Sequence, residues 1–199
     1  MPFRHFIIRL AACLAALMLV SCIDGHEEYW LNEDGSGRAD ITYTLPAAAA
    51  TFQGGKAGVE NLLAGFLKGN PAITSSRHEV SVRDNRITVS AKIKFDSVVD
   101  LRKFSLGGSS EKLPPSADKL IGSINLELIG RQISAERTIT VGMALPGASF
   151  LPASQLDGHQ LSYTVHLPVV ATVSNATRTA DGGRTLVWDF PLAAAIRAP

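Results

Sequence analysis

Along residues 38–45 polar and apolar side chains alternate, with Ala39, Ile41, Tyr43 and Leu45 on one side and Arg38, Asp40, Thr42 and Thr44 on the other. A period of two is that of a strand with one buried face. The same period runs through 86–95, with Ile87, Val89, Ala91, Ile93 and Phe95 aligned, and through 160–167, with Leu161, Tyr163, Val165 and Leu167 aligned. Glu33-Asp34-Gly35-Ser36-Gly37 joins the aromatic segment 26–32 to 38–45, and Asp84-Asn85 joins 78–84 to 86–95. Both arrangements predict hairpins. A third pair is expected from 121–129 and 132–141 about Gly130-Arg131, with Ile124, Leu126 and Leu128 on one face. Short apolar Val169–Val173 follows Pro168. A last strand, 185–190, aligns Leu186, Trp188 and Phe190 after the turn Asp181-Gly182-Gly183.

The period changes at 57–68. Val59, Leu62, Leu63, Phe66 and Leu67 stand at i, i+3, i+4, i+7 and i+8, one stripe of a helix, and Gly69-Asn70-Pro71 stops it. A shorter helix is expected at 97–104, with Asp96 as its N-cap and Val98, Leu101 and Phe104 inward. Gly107–Ala117 is rich in Gly, Ser and Pro and reads as a loop or internal linker. The expected fold is α+β: an antiparallel sheet of sequential hairpins with two helices on one face. The stripe has two readings. It is core beneath the sheet, or Val59, Leu62, Leu63, Phe66 and Leu67 form one wall of a pocket for an apolar ligand.

The longest apolar run belongs to none of these elements. Residues 10–20 are apolar without interruption, with Arg4 and Arg9 before them and Ser21-Cys22 after. The run is well short of the roughly 20 residues of a membrane span. Basic residues, an apolar run, a small residue and a cysteine follow in the order of a lipoprotein signal, and Leu19-Val20-Ser21-Cys22 resembles a bacterial lipobox. The expected organisation is a cleaved signal peptide at 1–21, a lipidated tether at 22–25 and a single α+β extracytoplasmic domain at 26–199. The Cys22 sulfur would take a diacylglyceryl group, and two or three acyl chains of the palmitate kind hold a protein stably at a membrane. Ile23, rather than Asp, follows the cysteine. By resemblance to lipoproteins of diderm bacteria this directs the chain to the outer membrane, facing the periplasm.

Removing Arg4 and Arg9 from the 19 basic side chains leaves 17 against 18 acidic ones, a net charge of −1. That balance gives no electrostatic footprint for nucleic acid. The two cysteines are Cys13, inside the signal, and Cys22. The mature domain therefore folds without a disulfide and has no thiol nucleophile or thiolate zinc site.

No Gly-x-Ser-x-Gly elbow, phosphate loop, dinucleotide glycine pattern or His-Glu-x-x-His helix is present. Asp34, Ser36 and Asp40 lack the alternate carboxylates and closing Glu of a calcium loop and read as turn chemistry. His26-Glu27-Glu28 is a poor metal set, because neighbouring strand residues face opposite ways. His26, His78, His159 and His166 are scattered along the chain. Trp188 reads as core, and Asp189 as facing solvent. No metal or cofactor is implied, and an enzyme is not expected.

In order along the chain stand Cys22, Asp34-Gly35-Ser36-Gly37 and Leu45-Pro46. Near the other end stand Leu167-Pro168, Asn175 and Asp181-Gly182-Gly183-Arg184-Thr185-Leu186-Val187-Trp188. This layout resembles the LppM-type bacterial lipoproteins. The resemblance implies a membrane-anchored α+β domain, with a lipid-like ligand in a cavity for part of the family. Many members end in a transmembrane helix. No such segment precedes Pro199, so Cys22 is expected to be the sole anchor. The expected function is that of a non-enzymatic, membrane-anchored envelope lipoprotein that binds a lipid or other apolar ligand. The alternative is a structural or partner-docking lipoprotein.

Overall fold

The computed structural model describes residues 23–103, 119, 122–129, 132–144 and 151–197. The expected signal peptide, Cys22, Phe104, the Gly130-Arg131 turn and the linker 107–117 lie outside the described residues.

Alternation produces the sheet. Strands β1 (Asp24–Leu31) and β2 (Gly37–Pro46) form the first hairpin, and β3 (Ser75–Arg83) and β4 (Arg86–Phe95) the second. β5 (Ser123–Ile129) and β6 (Gln132–Thr138) form a third, and β7 (Gln160–His166), β8 (Arg178–Ala180) and β9 (Thr185–Pro191) follow. Seven strands make one sheet in the order β3-β4-β2-β1-β7-β9-β8, while β5 and β6 pair only with each other. Every pairing in the large sheet is antiparallel except β1 with β7.

That parallel pair corrects the expectation of sequential hairpins. Periodicity reports which face of a strand is buried but not which strand lies beside it. β1 and β7 run the same way, so the chain between them must cross over. The third hairpin belongs to that crossover. The run 169–173 is not a strand, and β8, whose residues are all exposed, carries no apolar pattern that would announce it.

Helix α1 spans Gly55–Gly69, α2 Val141–Ala144 and α3 Leu192–Arg197, the last two not foreseen from the sequence pattern. The segment 97–104 winds as a 3-10 helix, Val98–Lys103, and its cap is Ser97 rather than Asp96: the Val99 N–H donates to Ser97 Oγ at 3.3 Å. Among the described residues three α-helices of four residues or more are seen, against the two helices expected.

The stripe of α1 packs onto the sheet. Phe66 and Leu67 bury against Ala39, Ala91 and Ile93, with Leu63 beside them. Val59 and Leu63 meet Ala50, Val80 and Ile87. A separate core gathers Ile23, Val141, Leu151, Leu156, Leu161, Leu192 and Ile196 over the β7 half. The outward rows of the sheet carry matched polar pairs instead, Lys92 with Asp40 at 2.8 Å and Thr44 with Thr88 at 3.2 Å.

β1 begins at Asp24, and Ile23 before it is only 4% exposed. The tether expected at 22–25 is therefore corrected: residues 23–25 belong to the folded body. Asp24 accepts from Arg86 Nη2 at 2.7 Å and from the Gln160 N–H at 3.3 Å, and stands 3.1 Å from His159 Nδ1. These contacts clamp the first residue of β1 to β4 and β7.

Phe95 closes the other end of the β2–β4 pair. Its ring lies across Gly37, where a Cβ would come within 2.6 Å of the ring and 2.4 Å of the Trp30 carbonyl oxygen. It packs with Val98, Leu101 and Ile124, joining sheet, 3-10 helix and third hairpin. Phe95→Ala is expected to cost about 3–5 kcal/mol. Urea unfolding should show a lower midpoint with an unchanged slope.

Candidate functional site

The inward row of β1 reads Gly25, Glu27, Tyr29, Leu31, because alternate strand residues share a face. Glu27 therefore points into the interior, where it is 2% exposed. A buried carboxylate needs a partner and a full set of hydrogen bonds. Arg137 of β6 supplies both, with Nη1 2.5 Å from Oε2 and Nη2 3.0 Å from Oε1. Tyr29 donates its hydroxyl to Oε2 and Tyr43 to Oε1. Each carboxylate oxygen thus accepts two bonds.

Neighbouring strands place the remaining parts. Tyr163 of β7 stands directly beside Glu27 in the parallel register. The Arg137 guanidinium lies 4.9 Å from its ring centroid. Gly25 makes room for Tyr43: a Cβ there would meet the Tyr43 ring at 2.5 Å and Leu161 at 2.7 Å. Among the described residues the Tyr163 hydroxyl is buried with no partner in hydrogen-bonding geometry.

Burial alone would raise the Glu27 carboxyl pKa. The Arg137 charge opposes this, hydrogen bonds from Arg137, Tyr29 and Tyr43 add to it, and the net effect holds the carboxyl below its usual range. Burial and the Glu27 charge push the Tyr29 and Tyr43 hydroxyls well up, and Tyr163 up to about 12. All three tyrosines are thus neutral, and Tyr29 and Tyr43 donate to the one anion. Arg137 is held firmly protonated: burial would lower it, but the Glu27 charge prevails.

Sequence reading missed this group. It set His26-Glu27-Glu28 aside as a metal set because neighbouring strand residues face opposite ways, but did not follow Glu27 into the interior. The available signal was an acid in the middle of the row Gly25-Glu27-Tyr29-Leu31, where an apolar residue belongs.

The opposite face gathers histidines that are far apart in sequence. His166 Nε2 lies 2.7 Å from Glu28 Oε1, and its Nδ1 3.0 Å from Thr185 Oγ1. Thr185 gives its one hydroxyl proton to Asp181, so both His166 nitrogens face acceptors. Trp30 stacks on His166 with centroids 5.2 Å apart, and Arg38 covers the indole at 3.9 Å. His26 Nδ1 meets Ser162 Oγ at 2.8 Å, and its Nε2 lies 3.7 Å from Glu28 Oε2.

Ser162, His26 and Glu28 have the residue types of a hydrolytic triad. They sit on the flat of a sheet, where β1 and β7 are each paired on both sides. Their amides are therefore spent in the ladders, whereas acyl transfer needs free donors aimed at a developing oxyanion. The cluster is a polar surface network.

Other expected residues fall into place. Asp34 Oδ1 accepts from the Ser36 N–H at 2.9 Å, and Asp40 instead pairs with Lys92, so no calcium loop assembles from them. Trp188 packs inward and donates to Asn175. Asp189 faces outward, 3.1 Å from Arg178. Val59, Leu63, Phe66 and Leu67, considered as a pocket wall, lie against the sheet, and Leu62 is partly buried. No group of three metal-ligating side chains is found among the described residues.

No protein-family model, curated protein or solved structure matches this chain.

The Glu27–Arg137 pair generates a sharp expectation. Arg137→Met leaves a buried, unpaired carboxylate and should cost about 3–5 kcal/mol. Glu27→Leu with Arg137→Met should recover most of that loss, because both charges leave together. A double variant no more stable than the single one, in urea unfolding, would contradict the pairing. The pH dependence has a definite sign. Folding lowers the Glu27 pKa, so its contribution is complete above the unfolded value of about 4.3. It is lost as pH falls through the folded value. The double variant should lose less stability on acidification than the parent.

Proposed function

We propose that this chain is a bacterial lipoprotein, held in the cell envelope by a lipidated Cys22, whose domain works without catalysis by docking a partner. The observation that carries the anchor is the position of Ile23. Ile23, the residue after the lipobox cysteine, is buried in a core cluster. A mature chain cut at Cys22 would enter the fold at once. The basic, apolar and small residues of 1–21 and the LppM-type layout of the later motifs support the same reading.

Docking is favoured over carrying a lipid for two reasons. The apolar side chains of α1 that would line a pocket are engaged by the sheet. The segment after β7 leaves Val169 64%, Val170 53% and Val173 91% exposed, an apolar group of the kind that contacts partners. If the cell has two membranes, the position of Ile23 favours the outer one. Asp24 then acts as a clamp within the fold.

Mass spectrometry of the N-terminal peptide is expected to find Cys22 as the first residue, with a diacylglyceryl addition. Cys22→Ser should leave the precursor uncleaved and unmodified. An unmodified Cys22 in the parent would overturn the anchor. Native mass spectrometry of the detergent-solubilised mature chain should give the lipidated polypeptide alone. A further lipid that leaves only on denaturation would favour the carrier.

A further inference from the structure

We infer that the domain is seated directly on the bilayer by the sheet end at which β1 begins, with a fixed orientation. This rests on the proposed lipidation of Cys22. Ile23 is bonded to that cysteine and packs in the core with Leu151, Leu156, Leu161 and Leu192. Consecutive Cα atoms are about 3.8 Å apart, so the lipid leaves the chain within one residue of the core. A flexible tether gains reach as about 5–6 Å times the square root of its length. Here no residue is available to supply it. Asp24, next along, is fixed by Arg86 and His159.

Register defines the rest of that end. Asp24 pairs with Thr44 of β2, Pro46 with Arg86 of β4, and Gln160 with Pro191 of β9. The surface nearest the anchor therefore holds the Asp84-Asn85 turn, the 157–159 turn and the Pro191 end of β9. Arg83, Asp84, Asn85 and Asp157 there are exposed, while Val82 shows 50% and Phe190 41% of its surface. A mainly polar rim with one exposed valine and one exposed aromatic suits contact with lipid headgroups rather than deep insertion among acyl chains. At the opposite end stand the Glu33–Ser36 turn and the segment that follows β7. The seven steps of β1 raise that end by about 23 Å.

The full chain provides clean labelling, since Cys13 leaves with the signal and lipidated Cys22 has no thiol. Arg83→Cys and Glu33→Cys would each carry one fluorophore on the lipidated protein, in phosphatidylcholine vesicles with a headgroup-attached quencher. Quenching is expected to be several-fold stronger at position 83 than at 33. A long Gly-Ser insertion between Cys22 and Ile23 should abolish the difference. Equal quenching on a chain whose Cys22 is lipidated, or a difference that survives the insertion, overturns the seating and leaves the anchor intact. A Cys22 without lipid overturns both.

Discussion

One negative charge withdrawn from water sets much of the interior. Glu27 lies in the central strand of the sheet, between the core under α1 and the core around Leu156 and Leu192. Its carboxylate is tolerable there only with a cation and hydrogen bonds on every side. Those requirements reach across the fold. They bring Tyr43 from β2 over Gly25, place Tyr163 from β7 alongside, and draw Arg137 from a hairpin outside the main sheet.

The ion pair locates that hairpin more than it stabilises the fold. Buried pairs are often no more stable than apolar replacements of the same volume, because desolvation consumes most of the attraction. Among the described residues of the hairpin, Ile124 touches the Phe95 group, while Ile133 stays 55% exposed. Contacts of that kind are non-directional and permit sliding. A bidentate guanidinium–carboxylate pair has one geometry. With Ile124 directly opposite Arg137 in the hairpin, one cross-strand pair joins apolar contact to polar address.

What the sequence disclosed follows the same division. Elements that answer to one local period were legible: the β1–β2 and β3–β4 hairpins, α1 with its stripe, and the inward row of β9. Elements set by distant partners were not. Nothing local in 160–166 announces a parallel neighbour 136 positions earlier, such as His26 beside Ser162. The short α3 and the exposed β8 lack enough period to be seen. The candidate site was half legible. Alternation along β1 correctly separates Glu27 from His26 and Glu28, but the partner Arg137 lies 110 positions away and its approach is a property of the folded chain.

β1 links the interior to the proposed anchor. Ile23 occupies one core, Asp24 is clamped to β4 and β7, and Glu27 holds the third hairpin. Three consecutive constraints thus fall within five residues of Cys22. A lipoprotein that scans a wide volume would place a flexible segment between anchor and core, since disordered chain gives reach at little cost. A strand that starts two positions after the proposed anchor gives up reach for orientation. Fixed orientation serves a domain whose contact surface must stand at a set height above the membrane. The valines at 169, 170 and 173, exposed near the end farther from Asp24, lie where such a surface would be presented.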